Sequence, residues 1–319
     1  MEAREGTLIL VGMVLLLALF LPGLPLGAWR AFLLDTAQFA FIVTGLALSW
    51  DLLARTGQLS LAHGAFFGLG AYAAALAAPG LGTIPALLVG MAIAAASSLL
   101  LGLATLRLQG MYFAIATLAF SEVMRTLVLK AQFTGGSIGL PVPPAFGGQL
   151  PLGGYYLAVT VLAGCALVSL GVSQSRLHYA MAATRQGEAV ARVLGVPVVR
   201  VKLLVFAISA ALAGLAGGVY GMKTLFLTPY DAFGLARAVE ALVIPIFGGL
   251  YTTAGPLVGG ILLVGLETWL RLRIGEGYLV VYGVILVLTI LFLPKGLVGL
   301  VRSRSKPIPS SSPQGEQHV

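Results

Sequence analysis

The sequence predicts an all-α polytopic membrane protein of about ten transmembrane helices, some of them short or broken. Three observations predict it. Thr56 to Leu106 is a run of fifty-one residues without Asp, Glu, Lys or Arg, more uncharged sequence than a soluble domain can bury. A turn-forming stretch, PGLGTIP (Pro79 to Pro85), divides that run and leaves an apolar segment of spanning length on each side. Over the whole chain apolar residues make up 59% and charged residues 9%, against roughly 25% charged in soluble domains.

Charges and turn residues mark ten apolar segments, at 7–28, 36–53, 58–78, 84–106, 108–122, 154–175, 203–222, 238–252, 255–270 and 277–294. The first reads as a retained span and not a signal peptide. MEAREG carries two acids and an Arg, and the apolar run after it exceeds a signal core. The fifth is short: only fourteen residues separate Arg107 from Glu122, about 21 Å of helix against a core of about 30 Å. The segments at 238–252 and 255–270 are also short, and Pro245, Gly248, Gly249, Gly255 and Pro256 interrupt them. Two readings fit: a broken helix lining a pathway, where freed backbone groups can face water or substrate, or two ordinary helices poorly delimited by composition. Residues 1–302 form the transmembrane domain, with a long loop at 176–202, and the Ser- and Pro-rich stretch 303–319 is expected to be a disordered tail.

Placing 176–202 in the cytoplasm puts both termini there. Twelve of the nineteen Lys and Arg residues then lie inside and seven outside, the bias that membrane insertion favours. This bias explains the net charge of +8 without nucleic acid, since no basic patch is interleaved with aromatics. The single cysteine, Cys165, excludes an internal disulfide, and three scattered histidines (His63, His178 and His318) make no metal site. No cofactor is expected. GGVYGMKT comes nearest to a phosphate loop, but Met222 stands where a Gly should precede Lys223.

The 42 glycines suit membrane helices, which associate by close backbone approach. Gly64, Gly68, Ala71 and Ala75 lie on one face of the third span, and Ala210, Gly214, Gly217 and Gly221 repeat their spacing in the seventh. Charges at membrane depth are functional candidates because their burial is costly. Asp51 and Arg55, four apart, and Glu122 and Arg125, three apart, read first as ion pairs within a helix. Glu240 and Glu267 are placed at span ends. His63 either lines a path or hydrogen-bonds a neighbouring helix.

The loop from Ser175 to Phe206 holds five of the nineteen basic residues. Ala180 to Leu194 is rich in helix formers and ends at Gly195, a fitting C-cap, with Pro197 beyond. A single short helix here either docks in a groove of a soluble partner or lies on the lipid surface, anchored by Arg185 and Arg192.

AATRQGEAVARVLGVPVVRVKLLVFAISAALAGLAGGVYG (Ala182 to Gly221) resembles the cytoplasmic loop and following span of the LivM-type permeases, membrane subunits of ATP-binding-cassette importers for branched-chain amino acids. GQLSLAHGAFFGLGAYAAA from Gly57, RLQGMYFAIATLAFSEVMRTL from Arg107, FTGGSIGLPVP from Phe133 and ALVIPIFGGLYTTAGPLVGG from Ala241 resemble the same family in the same order. The resemblance implies a translocation path driven by separate machinery. The implied partners are a sister permease of LivH type, two cytoplasmic ATPases, an extracytoplasmic solute-binding protein and the bilayer of a prokaryotic inner membrane. It further implies a coupling helix over Ala182 to Gly195, with Arg185 and Glu188 at the rim of an ATPase groove and Ala189, Ala191, Leu194 and Gly195 at its small or apolar positions. The importer pattern E-A-A-x-x-x-G is not kept: with Gly195 as its Gly, Ala189 stands where Glu belongs. His63, Gly64, Gly68, Tyr112, Glu122, Gly248 and Gly249 are the candidates for the path or for helix packing. A urea or short-amide importer would use a similar permease. An ion-coupled transporter would need a carboxylate near mid-span, and a membrane enzyme would need a cluster of catalytic side chains.

Overall fold

A computed structural model describes residues 2–25, 27–150, 152–292 and 296–303. The described chain is helical nearly throughout: α1 (Glu2–Phe20), α2 (Arg30–Ala54), α3 (His63–Leu81), α4 (Thr83–Thr105), α5 (Met111–Lys130), α6 (Gly153–Gln174), α7 (Arg176–Gln186), α8 (Glu188–Val193), α9 (Val198–Thr224), α10 (Pro229–Phe233), α11 (Leu235–Gly248), α12 (Ala254–Ile274), α13 (Tyr278–Phe292) and α14 (Gly296–Ser303). Two short strands, β1 (Leu140–Pro141) and β2 (Phe226–Leu227), pair antiparallel. Seven helices, α1 to α6 and α9, are long and apolar enough to cross a membrane. The other three expected segments coincide with α11, α12 and α13. Of these α11 has 14 residues, α13 has 15, and α12 carries Glu267, Arg271 and Arg273. The expected tail lies mostly outside the described residues.

Two boundaries differ from the expectation. The fifth segment does not stop at Glu122: α5 runs 20 residues, to Lys130. An ion pair between Glu122 and Arg125 lets both charges stay inside the helix, so the charge used as a boundary is an internal feature. The ninth segment is not short either, because α12 extends to Ile274 over 21 residues. The turn between the third and fourth spans, by contrast, is tight. Gly82, at φ +81°, alone separates α3 from α4, with Pro79 carried inside α3.

The interior is built by α3, α4 and α9, with α2 and α6 packed against them. Their closeness has a simple cause. A Cβ on Gly70 would stand 2.1 Å from the Gly214 carbonyl oxygen, and one on Gly217 would stand 1.9 Å from that of Phe67. Backbone therefore lies directly on backbone, which supplies the van der Waals contact that lipid cannot. Gly64 and Gly68, on another face of α3, meet the segment around Phe233 and Gly234 instead.

The helix ends sort into two faces. On one, the Tyr155 hydroxyl donates to the Ala18 carbonyl at 2.6 Å, Lys223 pairs with Asp35 at 2.7 Å, and β1 meets β2. On the other lie the ends of α2 and α6, the α11–α12 connection and the α7–α8 pair, joined by the contacts described below. Between the faces, α10 and α11 make one interrupted passage. The break at Gly234 packs its carbonyl 3.3 Å from where a Gly64 Cβ would stand.

Gly217→Leu is expected to destabilise the protein by about 3 kcal/mol or more, since backbone cannot move aside as a side chain can. Gly164→Ala, at a position where an added Cβ meets nothing within 4 Å, should leave the thermal midpoint in detergent unchanged or raise it. Equal midpoints for the two variants would show that the α3–α9 contact is not the tight joint of the bundle.

Candidate functional site

The loop expected as one helix is two. Gly187, in extended conformation at φ 167°, ends α7 and starts α8. Glu188 pairs with Lys202, which is only 2% exposed, and it also accepts from Arg192 at 3.1 Å. The acid sits in the first turn of α8, where the helix dipole favours it. Gly195 closes α8 at φ +81°, donating its N–H to Arg192 while the Val196 N–H reaches back to Ala191. These two bonds form a Schellman cap, the role foreseen for this glycine.

Glu188 is thus largely covered, at 17% exposed, while Arg185 stays exposed and bears on the residues beside it. The Arg185 guanidinium lies 4.0 Å over the Tyr251 ring and donates weakly, at 3.5 Å, to the Arg55 carbonyl. Gly57 at φ +85° makes the turn after α2, and a Cβ there would press on Arg185 Cα at 3.3 Å. Ala191 is buried and Ala182 half-buried. What α8 leaves uncovered is largely apolar: Val190, Val193 and Leu194 are 64%, 88% and 72% exposed, with Ala189 exposed beside them and Arg192 at 62%.

Beneath Arg185 lies a sealed charge cluster. Asp51 and Arg55 are 0% and 2% exposed and bond at 2.9 Å. The guanidinium donates to Ser173 Oγ and Ser169 Oγ of α6, both at 2.7 Å, and Ser169 Oγ bonds Thr253 Oγ1 at 2.8 Å. The second Asp51 oxygen accepts the Tyr251 backbone N–H at 2.6 Å. Two charges thus hold α2, α6 and the α11–α12 connection together. The spacing in the sequence revealed the pair, but no sequence signal revealed Ser169, Ser173, Tyr251 or Thr253, which lie more than a hundred residues away.

His63 is fully buried. Its Nε2 lies 2.7 Å from Ser209 Oγ, and Ser209 donates to the Ser49 carbonyl at 2.6 Å. It bridges α3, α9 and α2 at the start of the glycine-rich face. Gly248 packs on Gly255 where α11 gives way to α12, and Gly249 stands at φ +132° against Gly296. Tyr112 and Glu122 lie elsewhere, on α5. Tyr112 is 75% exposed, and the Glu122 and Arg125 side chains are 44% and 30% exposed. Arg125 also faces the Tyr230 ring at 5.3 Å. Arg237 pairs with Glu240 at 2.7 Å within α11, and Glu267 pairs with Arg271 near the end of α12. The predicted residues thus divide among three places: the α7–α8 joint, the packed interior and the open side of α5. Among the described residues no group of His, Cys, Asp and Glu is placed to hold a metal ion.

Apolar helices packed through glycine, one interrupted passage, and a surface helix pair fastened to it define a polytopic membrane protein of the transport kind. The chain belongs to the family described as the permease component of branched-chain amino acid transport systems, whose profile matches residues 32–292. It is 31% identical over 313 residues to the high-affinity branched-chain amino acid transport system permease protein LivM of Salmonella typhimurium, covering 88% of this chain and 73% of that protein. The LivM protein of Escherichia coli matches equally. The corresponding LivH protein of Escherichia coli is 29% identical over 180 residues, 52% of this chain and 58% of its own length. No solved structure matches the chain.

Arg55→Leu strands the Asp51 carboxylate and should destabilise the protein by about 3–5 kcal/mol, most of which the Asp51→Asn, Arg55→Leu double variant should recover. Thermal unfolding of the purified protein reads both, and no recovery in the double variant would contradict the pairing. His63→Ala removes one buried hydrogen bond and should lower stability by about 1–3 kcal/mol while transport per folded molecule is kept. Lost transport at full stability would place His63 in the path.

Proposed function

We propose that this chain is the permease subunit of an ATP-binding-cassette importer that carries branched-chain amino acids. In this reading it forms the path together with a sister permease, receives substrate from a solute-binding protein, and is driven by two separate ATPases. The observation that carries the reading is the α7–α8 pair. Glu188 is tied inward to Lys202, and beside the exposed Arg192 an apolar patch of Val190, Val193 and Leu194 stands uncovered on α8. A helix meant to float on lipid would be expected to turn its apolar side toward the bilayer, beside the spans. This one is anchored by Glu188–Lys202 and Arg185–Tyr251, which leaves the apolar face for a soluble partner. The pattern of exposure favours the docking reading over the lipid-surface one.

The α5 helix supports the path. Glu122 lies twelve residues into a helix of 20, near mid-depth for a span, yet its ion pair with Arg125 is part-exposed. Lipid is a costly neighbour for such a pair. Arg125 Nε has no partner among the described residues. We place a water-filled path or the sister permease against this side, with Tyr112 on the same helix. The Ser60 region reaches it, since the Leu61 N–H donates to Thr117 Oγ1 of α5 at 2.9 Å.

The α7–α8 face is then cytoplasmic, both termini lie on that side after ten passages, and the multi-pass protein sits in the inner membrane of a prokaryote. Closure of the ATPase dimer would push on α8 and tilt the spans between inward- and outward-open states. The substrate class comes from the LivM and LivH relatives and from no contact within this chain.

Val190→Asp with Leu194→Asp should abolish co-purification of the ATPases, because a carboxylate driven into an apolar groove carries a desolvation cost of several kcal/mol, while membrane insertion stays intact. ATPases retained at wild-type level would remove α8 as the docking element. Uptake of labelled leucine, isoleucine, valine and urea by the reconstituted complex decides the cargo, and urea alone would turn the reading to the amide importers.

A further inference from the structure

We infer that Arg185, Tyr251, Asp51 and Arg55 form a rigid link that carries movement of the α7–α8 pair to the break between α11 and α12. The inference rests on the proposed coupling role of α7–α8 and adds positioning residues to it. Arg185 lies in the last turn of α7, which Gly187 alone joins to α8, the helix that would receive the push. Its guanidinium covers the Tyr251 ring at 4.0 Å, and Tyr251 belongs to the connection between α11 and α12. The contact is the outer end of a chain of bonds. The Tyr251 N–H donates to Asp51, Asp51 pairs with Arg55, and Arg55 grips Ser169 and Ser173 of α6.

Tyr251 is held under strain. Its φ of +64° is a conformation that a bulky residue seldom adopts, and it persists only where the surroundings impose it. Two contacts impose it here: the Asp51 carboxylate on the backbone N–H and the Arg185 guanidinium on the ring. A glycine would adopt this backbone freely, and Gly248, Gly249 and Gly255 stand close by. A tyrosine here supplies a ring for Arg185 to hold. The connection is also short, with Gly249 to Thr253 joining two helices whose backbones touch at Gly248 and Gly255. A displacement of Tyr251 therefore reaches the ends of both α11 and α12.

The test uses the whole complex of both permeases, ATPases and binding protein in proteoliposomes, reading leucine taken up per ATP hydrolysed. Tyr251→Ala keeps the backbone bond to Asp51 and removes the ring, while Arg185→Lys keeps the charge and removes the planar stack. Each should lower uptake per ATP about two- to fivefold, as expected for a solvent-exposed cation–π contact, with the ATPases still bound. The double variant should be no worse than either single one, and Tyr251→Phe should behave as wild type. A wild-type ratio in the single variants, or a double variant at the product of the two losses, overturns the link. The outcome is separable from that of the coupling proposal. If the Val190→Asp, Leu194→Asp variant keeps its ATPases, both fall; if it loses them while Tyr251→Ala transports normally, the link alone falls.

Discussion

A carboxylate and a guanidinium sealed from solvent meet at one point of this protein, and the arrangement around them follows from the need to satisfy both. Asp51 and Arg55 come from one helix, so the pair itself is local. A buried ion pair is tolerated only when its remaining lone pairs and protons find partners. Two serines of α6 and the backbone of Tyr251 provide them. The demand for satisfaction thus draws α6 and the α11–α12 connection onto the end of α2. Replacing the pair by apolar residues could leave a stable bundle, but the Tyr251 N–H would lose the carboxylate that helps hold the connection in its strained conformation.

The glycine contacts play a complementary part. They bring α3, α4 and α9 to backbone contact and make that part of the molecule a single body. Around this body the chain is less uniform. The α10–α11 passage is interrupted, α5 presents a part-exposed ion pair, and α7–α8 stands on the surface. The irregular elements are those that the transport reading needs to move or to face water. The regular ones supply the frame against which motion occurs.

Much of the frame was legible in the sequence, because membrane helices announce themselves through length and apolar content. The glycine faces of the third and seventh spans were legible through spacing: Gly217 of the expected face does lie on the Phe67 backbone, but on the third span it is Gly70, outside the expected face, that meets Gly214. Charge was a poorer guide to boundaries. Glu122 was read as a terminus, and the structure carries α5 past it, because a partner one turn away keeps the charge within the helix. The loop at 176–202 stands out as a segment, but its composition reads as one helix through Gly187, where the chain in fact breaks. Just past the break, Glu188 is tied to Lys202, fourteen residues on. Arg185 shows the limit most plainly: its partner Tyr251 is 66 positions away, and no local pattern could have named it.

The account stands on α7–α8 and the α11–α12 connection moving as one. The direct measurement is the distance between spin labels at Tyr179 on α7 and Thr252 in the assembled complex, in a Cys165→Ala background, with and without ATP and vanadate. A third label at the exposed Leu100 on α4 provides the reference. The account predicts that the Tyr179–Thr252 distance stays within the width of its distribution while both positions shift relative to Leu100. A Tyr179–Thr252 distance that changes as much as the distances to Leu100 would contradict it.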